Sequence, residues 1–315
     1  MSDPTEVQGN GPTIGVVIPA FNRQETIERA LASVLGQSRR PNQVVVVDDG
    51  STDRTADVVG QFTPQVELVE QANQGAAVAR NMGVAALGTE WVAFLDSDDH
   101  WRTAHLENME AAIRGTDAAA DLYFCDSSSA ELPQGTTWWD RCGFGIEGPY
   151  KLEPDATDWV MKPLHPFRLP ATVMRRSRYL GVGGMWPELR GREDTHLFFE
   201  LGLGGPFCAV AGVGLEVTAD DDSGQRLTES EGAATSSYAN YTVLLYRDLL
   251  ERNPDLTSQH RRELESRLLD GYLASASVAL RRRDPAGLRP LARALRLSPA
   301  TTMRRLSAAV RGPKR

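Results

Sequence analysis

Asp96-Ser97-Asp98-Asp99 concentrates three carboxylates within four residues, directly after the apolar pair Phe94-Leu95. At about 6 Å and an effective dielectric of roughly 20, each pair of such charges costs about 3 kcal/mol. Either solvent dissipates the repulsion or a bound cation cancels it. Hard oxygen ligands suit Mg²⁺ or Mn²⁺, and an ion held here would bridge the two phosphates of a nucleoside diphosphate. An exposed acidic loop capping the next helix is the competing reading, and the position at the end of an apolar run weighs against it. A second acidic group, Asp48-Asp49-Gly50-Ser51-Thr52-Asp53, closes the apolar run 44–47. Thr52 or Asp53 suits a helix N-cap, but capping does not explain Asp48 and Asp49 at the mouth of the run. A carboxylate there could accept from the N–H edge of a nucleobase such as uracil. The first apolar run is not followed by GxGxxG, and GxxxxGK[ST] occurs nowhere, so something other than a Gly-rich loop has to meet the phosphates. His100, His105, His165, His196 and His260 show no metal-ligand spacing. His196, two residues past Asp194, reads as structural before it reads as acceptor-facing.

The elements that must position these groups follow from apolar periodicity. Short β-branched or apolar runs predict buried strands at 14–18, 44–47, 66–69, 91–95 and 122–125,. Helical spacing predicts helices at 25–35, 54–62, 75–87 and 106–113 between them,. Strands alternating with helices mean a mostly parallel α/β sheet. Ligands of open α/β sheets bind outside the C-terminal ends of the strands, and those ends are Pro19-Ala20-Phe21-Asn22, Asp48-Asp49, the approach to Asn73-Gln74-Gly75, and Asp96 to Asp99. The stretch 127–170 loses the rhythm and is rich in Gly, Pro and aromatics, including Trp138, Trp139, Phe144, Tyr150 and Trp159. It reads as an irregular loop over one sheet edge, the kind of long segment that carries specificity. Its tryptophans suit either stacking on an acceptor ring or burial beneath the loop. A strand at 171–174, a helix at 195–203 and a strand at 210–217 precede a break at Asp220-Asp221-Asp222-Ser223-Gly224, and beyond 236 the pattern is helical.

At 315 residues, 41% apolar and 24% charged, the chain suits one large soluble domain with an appendage,. Residues 1–12 read as a disordered leader. No stretch has the length of apolar sequence that spans a bilayer, and no signal segment opens the chain, so a cytoplasmic protein is expected. Cys125, Cys142 and Cys208 lack CxxC and metal spacing, which predicts buried reduced thiols,. From Arg281 onward, eleven Lys or Arg face one acid, Asp284, so the tail carries about +10 and the rest about −18 of the net −8. Residues 261–283, 288–297 and 303–310 set arginines beside apolar residues at helical spacing. That is the pattern of peripheral contact with an anionic membrane, at the inner face for a cytoplasmic protein. A packed helix with a solvated basic face is the plainer reading of the first of these. Nucleic-acid binding is not expected, because no recognition module or interleaved aromatics accompany the arginines.

Taken together, these segments resemble the family 2 glycosyltransferases of the GT-A fold. The resemblance rests on Val17-Ile18-Pro19-Ala20-Phe21-Asn22, Ser33-Val34-Leu35-Gly36-Gln37, Val46-Val47-Asp48-Asp49-Gly50-Ser51-Thr52-Asp53, Asn73-Gln74-Gly75 with Ala79-Arg80-Asn81-Met82-Gly83, and Phe94-Leu95-Asp96-Ser97-Asp98-Asp99. These motifs cover about residues 13–115. A weaker match through Thr172-Val173-Met174-Arg175-Arg176, Gly183-Gly184 and Arg192-Glu193-Asp194 extends it to about Val217.

The resemblance implies a Rossmann-like GT-A sheet flanked by helices over 13–220, divided into a nucleotide-binding half (13–115) and an acceptor half (116–220). A basic helical extension follows at 236–315. It implies a donor site of Pro19, Ala20, Phe21, Asp49, Gln74, Arg80, Asp96 and Ser97. Pro19-Ala20-Phe21 would line base and ribose, Asp49 would contact the base, and Arg80 would reach the phosphates or form a structural pair. Asp98 and Asp99 compete for the metal, Mn²⁺ or Mg²⁺. Asp194 is the implied catalytic base, and a helix N-terminal acid favoured by the dipole is the plainer reading of Glu193-Asp194. The implied enzyme is an inverting, metal-assisted hexosyltransferase that uses a nucleotide-sugar, a UDP-sugar first. Its acceptor is a saccharide, a lipid-linked sugar or a small molecule. A phosphotransferase of the haloacid-dehalogenase kind would need its nucleophilic Asp on the first strand, which here ends in Pro19. A catalytically degenerate scaffold at the membrane surface is the alternative that keeps the fold without the chemistry.

Overall fold

The computed structural model describes residues 11–218, 236–281 and 288–311. Residues 1–10 of the expected leader and the break at 220–224 lie outside the described residues. The described chain forms two compact units, residues 11–185 with 201–218, and residues 186–200 with the helices from 236 on.

The first unit is built on a nine-stranded sheet. Its opening strands are β1 (Ile14–Ala20), β2 (Gln43–Asp48), β3 (Glu67–Glu70) and β4 (Trp91–Phe94), connected through α1 (Ile27–Leu35), α2 (Thr55–Gly60) and α3 (Ala76–Ala86). They pair in parallel in the order β3-β2-β1-β4. Val45, Val46 and Val47 are fully buried, as the continuous β-branched run requires of a strand covered on both faces,. Val16 and Ile18 join one core cluster with Ile27 and Leu31 of α1. Val17 points to the other face, where a Cβ on Gly83 of α3 would lie 2.4 Å from its Cγ1, so only glycine permits that helix-to-sheet approach,. The chain winds outward from β1 to β3 and returns to β4 on the far side of β1. The topological switch point therefore lies between β1 and β4.

Beyond β4 the sheet becomes mixed. It uses β5 (His100–Trp101), β6 (Leu122–Ser129), β7 (Tyr150–Glu153), β8 (Thr172–Arg175) and β9 (Phe207–Val217), with α4 (His105–Gly115) before β6 and α7 (Arg176–Gly181) after β8. The full order is β3-β2-β1-β4-β8-β6-β9-β5, and β7 also pairs with β9. β8 is antiparallel to both β4 and β6, so β6 runs with β4 and its C-terminal end lies on the same edge as Asp96. This is the expected α/β architecture, parallel through its first half and mixed beyond.

The stretch 127–170 is more ordered than expected. It holds α5 (Trp138–Cys142), β7 and α6 (Thr157–Val160), and β6 runs on through Asp126 to Ser129. A capping box, in which Thr137 and Asp140 satisfy each other's backbone N–H groups, starts α5,. Edge-to-face contacts of Phe124 with Trp139, Trp159 and Phe167 fill the space beneath,. Trp139 and Trp159 are each 7% exposed, so burial rather than an open stacking platform accounts for them. Trp138 is half-buried with the Arg168 guanidinium 4.0 Å from its ring centroid. The cysteines form no disulfide. Burial pushes the Cys125 and Cys208 thiols up to about 12 and that of half-buried Cys142 to about 11.

The second unit contains most of α8 (Glu193–Gly202), α9 (Ser236–Arg252), α10 (Ser258–Arg281), α11 (Leu288–Leu297) and α12 (Pro299–Arg311). The expected division placed 186–200 with the sheet, whereas its contacts group it with these helices. α10 buries Leu264, Leu268, Leu269, Tyr272 and Ala276, a packed face of the plainer kind. Among the described residues no helix is long and apolar enough to cross a membrane.

Candidate active site

At the C-terminal edge of β1 and β2, short polar side chains bind the strand ends together. Asn22, in the left-handed region at φ 52°, donates its N–H to Ser51 Oγ (2.9 Å) and accepts from the Thr52 N–H (2.8 Å). Asp48 accepts from the Ser51 N–H at 2.8 Å and so closes the turn. Asp49 is buried, and its carboxylate accepts from Gln71 Nε2 (2.7 Å) and from the backbone N–H groups of Gln74 and Gly75 (2.8 Å each). Three of its roughly four acceptor positions are thus taken by the chain between β3 and α3, leaving one for a ligand. Gly50, at φ +78°, has no room for a Cβ, which would lie 2.9 Å from the Asn73 nitrogen. Asp53 accepts from Thr55 N, Thr55 Oγ1 and Gln24 N. Burial works to raise its pKa, but these hydrogen bonds outweigh it and hold the carboxyl below the usual range. Phe21 is 38% exposed beside buried Ala20, an open aromatic face next to the switch point, and Pro19 is half-buried.

Because Asp49 joins β2 to the start of α3, Asp49→Ala is expected to remove the acceptor of three part-buried donors. The loss should be about 2–4 kcal/mol of stability, read as a lower urea midpoint at unchanged slope. An unchanged midpoint would show that these donors find water instead.

The carboxylates after β4 do not converge. Asp96 pairs with Arg80 of α3, Oδ1 to Nη2 at 2.7 Å. Asp98 has Arg23 Nη2 3.8 Å from its Oδ2, and its backbone carbonyl accepts from Arg29 at 2.8 Å. Asp99 is buried and accepts from the Thr218 N–H at 3.2 Å. Ser97 is buried between them, and the Asp99 N–H closes the turn on the Asp96 carbonyl at 3.1 Å. Guanidinium groups therefore meet much of the repulsion that a cation was expected to cancel. Arg23 was not anticipated as a partner. It directly follows the Pro19-to-Asn22 run, and nothing local to that run indicates an ion pair with residue 98.

The donor set fits a divalent cation of the Mg²⁺ type. Such ions bind through one or two carboxylates and take substrate phosphates for the rest of the shell, rather than sitting in an all-protein cage. Asp98 offers a carboxylate 17% exposed and Asp96 one 35% exposed. One oxygen of Asp99 is occupied by the Thr218 N–H.

Among the described residues, three potential ligand atoms converge at His196, Glu200 and Asp248, in the second unit. His196 Nε2 lies 2.9 Å from Asp248 Oδ2, and Arg252 reaches Asp248 at 3.0 Å and Glu200 at 3.6 Å. Burial, foremost, pushes the Glu200 carboxyl up, against the lowering effect of His196 and Arg252. Arg252 spans both acids, so the group forms an ion-pair network that ties α8 to α9, in keeping with the structural reading of His196.

Glu193 and Asp194 open α8 in the same unit. Half-buried Asp194 accepts from its neighbour's N–H (2.5 Å) and from Thr195 Oγ1 (3.2 Å). Arg192 donates to the Tyr238 hydroxyl (2.5 Å) and the Tyr246 hydroxyl (3.2 Å), both on α9. Burial works against the charge of Arg192, yet Tyr246, Tyr238 and Asp194 hold its pKa above the ordinary value. The turn that carries the two acids is therefore anchored from both sides, by Arg192 and by His196.

The sequence model of Glycosyl transferase family 2 matches residues 15–179. An uncharacterized glycosyltransferase of Nostoc sp. is 32% identical over 166 residues, covering 50% of this chain and 48% of its own length. The chain spans about half the length of the curated relatives it matches. Among solved structures, S. aureus TarS 1-349 in complex with UDP-GlcNAc superposes with a TM-score of 0.62 at 17% identity, over 90% of this chain and 89% of that one. The mannosyltransferase PcManGT from Pyrobaculum calidifontis, in complex with GDP-Man and Mn²⁺, gives 0.57 at 20% identity, over 95% and 80%. At such identities these likenesses show the fold, which is the GT-A architecture.

Proposed function

The chain belongs to glycosyl transferase family 2, and from that premise we propose that it transfers a hexose from a UDP-sugar to an acceptor with inversion at the anomeric carbon. The observation that carries the reading is the single sheet edge at the switch point, where exposed Phe21, the Asp49 clamp and the Arg80–Asp96 pair meet with Asp98 beside them. Phe21 and Ala20 line the base and ribose, with Pro19 behind them. Asp49 accepts from the base through its remaining lone pair, and its bonds to Gln74 and Gly75 hold the loop that faces the nucleotide. Arg80 orients Asp96 toward the ribose or donor sugar and adds positive charge on the phosphate side. Asp98 holds the cation, Mn²⁺ or Mg²⁺, which when bound neutralises charge on the departing diphosphate. Asp194 takes the acceptor's proton as the new bond forms, so no covalent intermediate is needed. The structures that contain UDP-GlcNAc and GDP-Man support a nucleotide-sugar of this class as donor.

Calorimetric titration of UDP, GDP and dTDP, with and without Mn²⁺, tests the reading. Metal-dependent binding of UDP is expected. Failure of every nucleotide to bind under either condition would overturn it and leave the alternative of a degenerate GT-A scaffold.

A further inference from the structure

We propose that α11 and the start of α12 form a docking surface for an anionic lipid bilayer, a role independent of the donor chemistry. The exposed face of α11 carries Arg289, Arg293 and Arg296, at positions i, i+4 and i+7, while Ala294 on the opposite face is buried. Leu291, Leu295 and Leu297 of the same helix are partly buried. Large apolar side chains are also exposed in this stretch, with Leu288 59% exposed, Met303 60% and Leu280 48%. All the exposed large apolar side chains described in the second unit lie in this stretch, from the end of α10 to the start of α12.

Charge complementarity identifies the occupant. From residue 281 onward the chain has one acid, Asp284, against eleven Lys or Arg, and the nearby Asp270 is paired with Arg305. α11 and α12 carry no acid to repel a negatively charged surface. Arginine attracts anionic headgroups within a Debye length, and protruding Leu or Met side chains enter the acyl boundary. A nucleic acid would draw on the arginines but would give Leu288 and Met303 nothing to enter. A spanning role is not involved, since no described helix is long and apolar enough to cross a membrane.

The test is flotation of the full chain with vesicles of phosphatidylcholine alone and of phosphatidylcholine mixed equally with phosphatidylglycerol. Binding to the anionic vesicles only, weakening as salt rises, is the expected result. The variant carrying Arg289→Glu, Arg293→Glu and Arg296→Glu should lose about tenfold or more in vesicle affinity, and Leu288→Ser with Met303→Ser should lose less. Circular-dichroism helix content and thermal melting of the same preparations report that each variant is folded. If the triple variant did not fold, the wild-type salt dependence and the Leu288 and Met303 variant would decide the matter. Failure of the wild type to float with anionic vesicles, or equal binding by the arginine variants, would overturn the proposal. So would binding of a fluorescent single-stranded RNA in place of the vesicles.

Discussion

Asp194→Asn is expected to lower kcat about 10²- to 10⁴-fold, the usual contribution of a positioned general base, while UDP affinity stays unchanged. Asparagine has the same shape and keeps an oxygen that accepts from Thr195, so the turn at the start of α8 should survive the exchange. What it loses is the lone pair that takes a proton from the acceptor. Glu193 beside it is buried, and Glu193→Gln should act on stability more than on turnover. Steady-state kinetics alongside nucleotide calorimetry separates these cases. A loss of kcat and of kcat/KM together, with donor binding intact, marks an interaction made in the transition state. If Asp194→Asn retained full turnover, the proton would have to go elsewhere and the proposed role of Asp194 would be abandoned. Arg192 and His196, which anchor the same turn through Tyr238, Tyr246 and Asp248, should influence kcat only by displacing Asp194.

The second large effect concerns the two acids that compete for the metal. Asp98→Asn is expected to weaken UDP binding in Mn²⁺ by about 100-fold, roughly 3 kcal/mol, and to leave binding without metal as it was. Asp99→Asn should do little to the metal-dependent part. The Asp99 carboxylate is buried on the Thr218 N–H, and an Asn oxygen there can still accept that bond. Any cost should be small and appear in stability, since the Thr218 N–H keeps an acceptor,. Titration of Mn²⁺ into each variant in the presence of UDP ranks them directly. The reverse ranking would hand the metal to Asp99 and require the Thr218 bond to break on donor binding.

Much of the parallel half could be read from the residues in order. The valine run 44–47 and the apolar residues 14–18 and 91–95 announce strands by composition alone, and Ile27, Ala30, Leu31 and Val34 announce α1 by spacing. Their boundaries moved by only a residue or two, because each is decided by contacts within a few residues and by burial on both faces. The later half was less legible. β7 is four residues without a clean alternation and exists because it pairs with β9. β5 is two residues long and is held by the same strand. The extension of β6 through Asp126 to Ser129 is polar throughout, and it is a strand because β9 follows it across two register shifts. Pairing energy of this kind comes from a partner far along the chain, so no local window contains it.

The candidate site divides in the same way. The sequence by itself determined which acids cluster, that they stand at strand ends, and that their order resembles family 2 glycosyltransferases, since those are properties of types and spacing. Only the tertiary structure decided what each acid does with its oxygens. Asp48 closes a turn, Asp49 clamps the loop before α3, Asp96 pairs with Arg80, and Asp99 turns to Thr218. It likewise decided that the turn carrying Asp194 groups with the C-terminal helices rather than with the sheet. The reason is that a carboxylate's partners are chosen by geometry across sequence separations of up to 119 residues, and chain folding alone brings such residues within hydrogen-bonding distance.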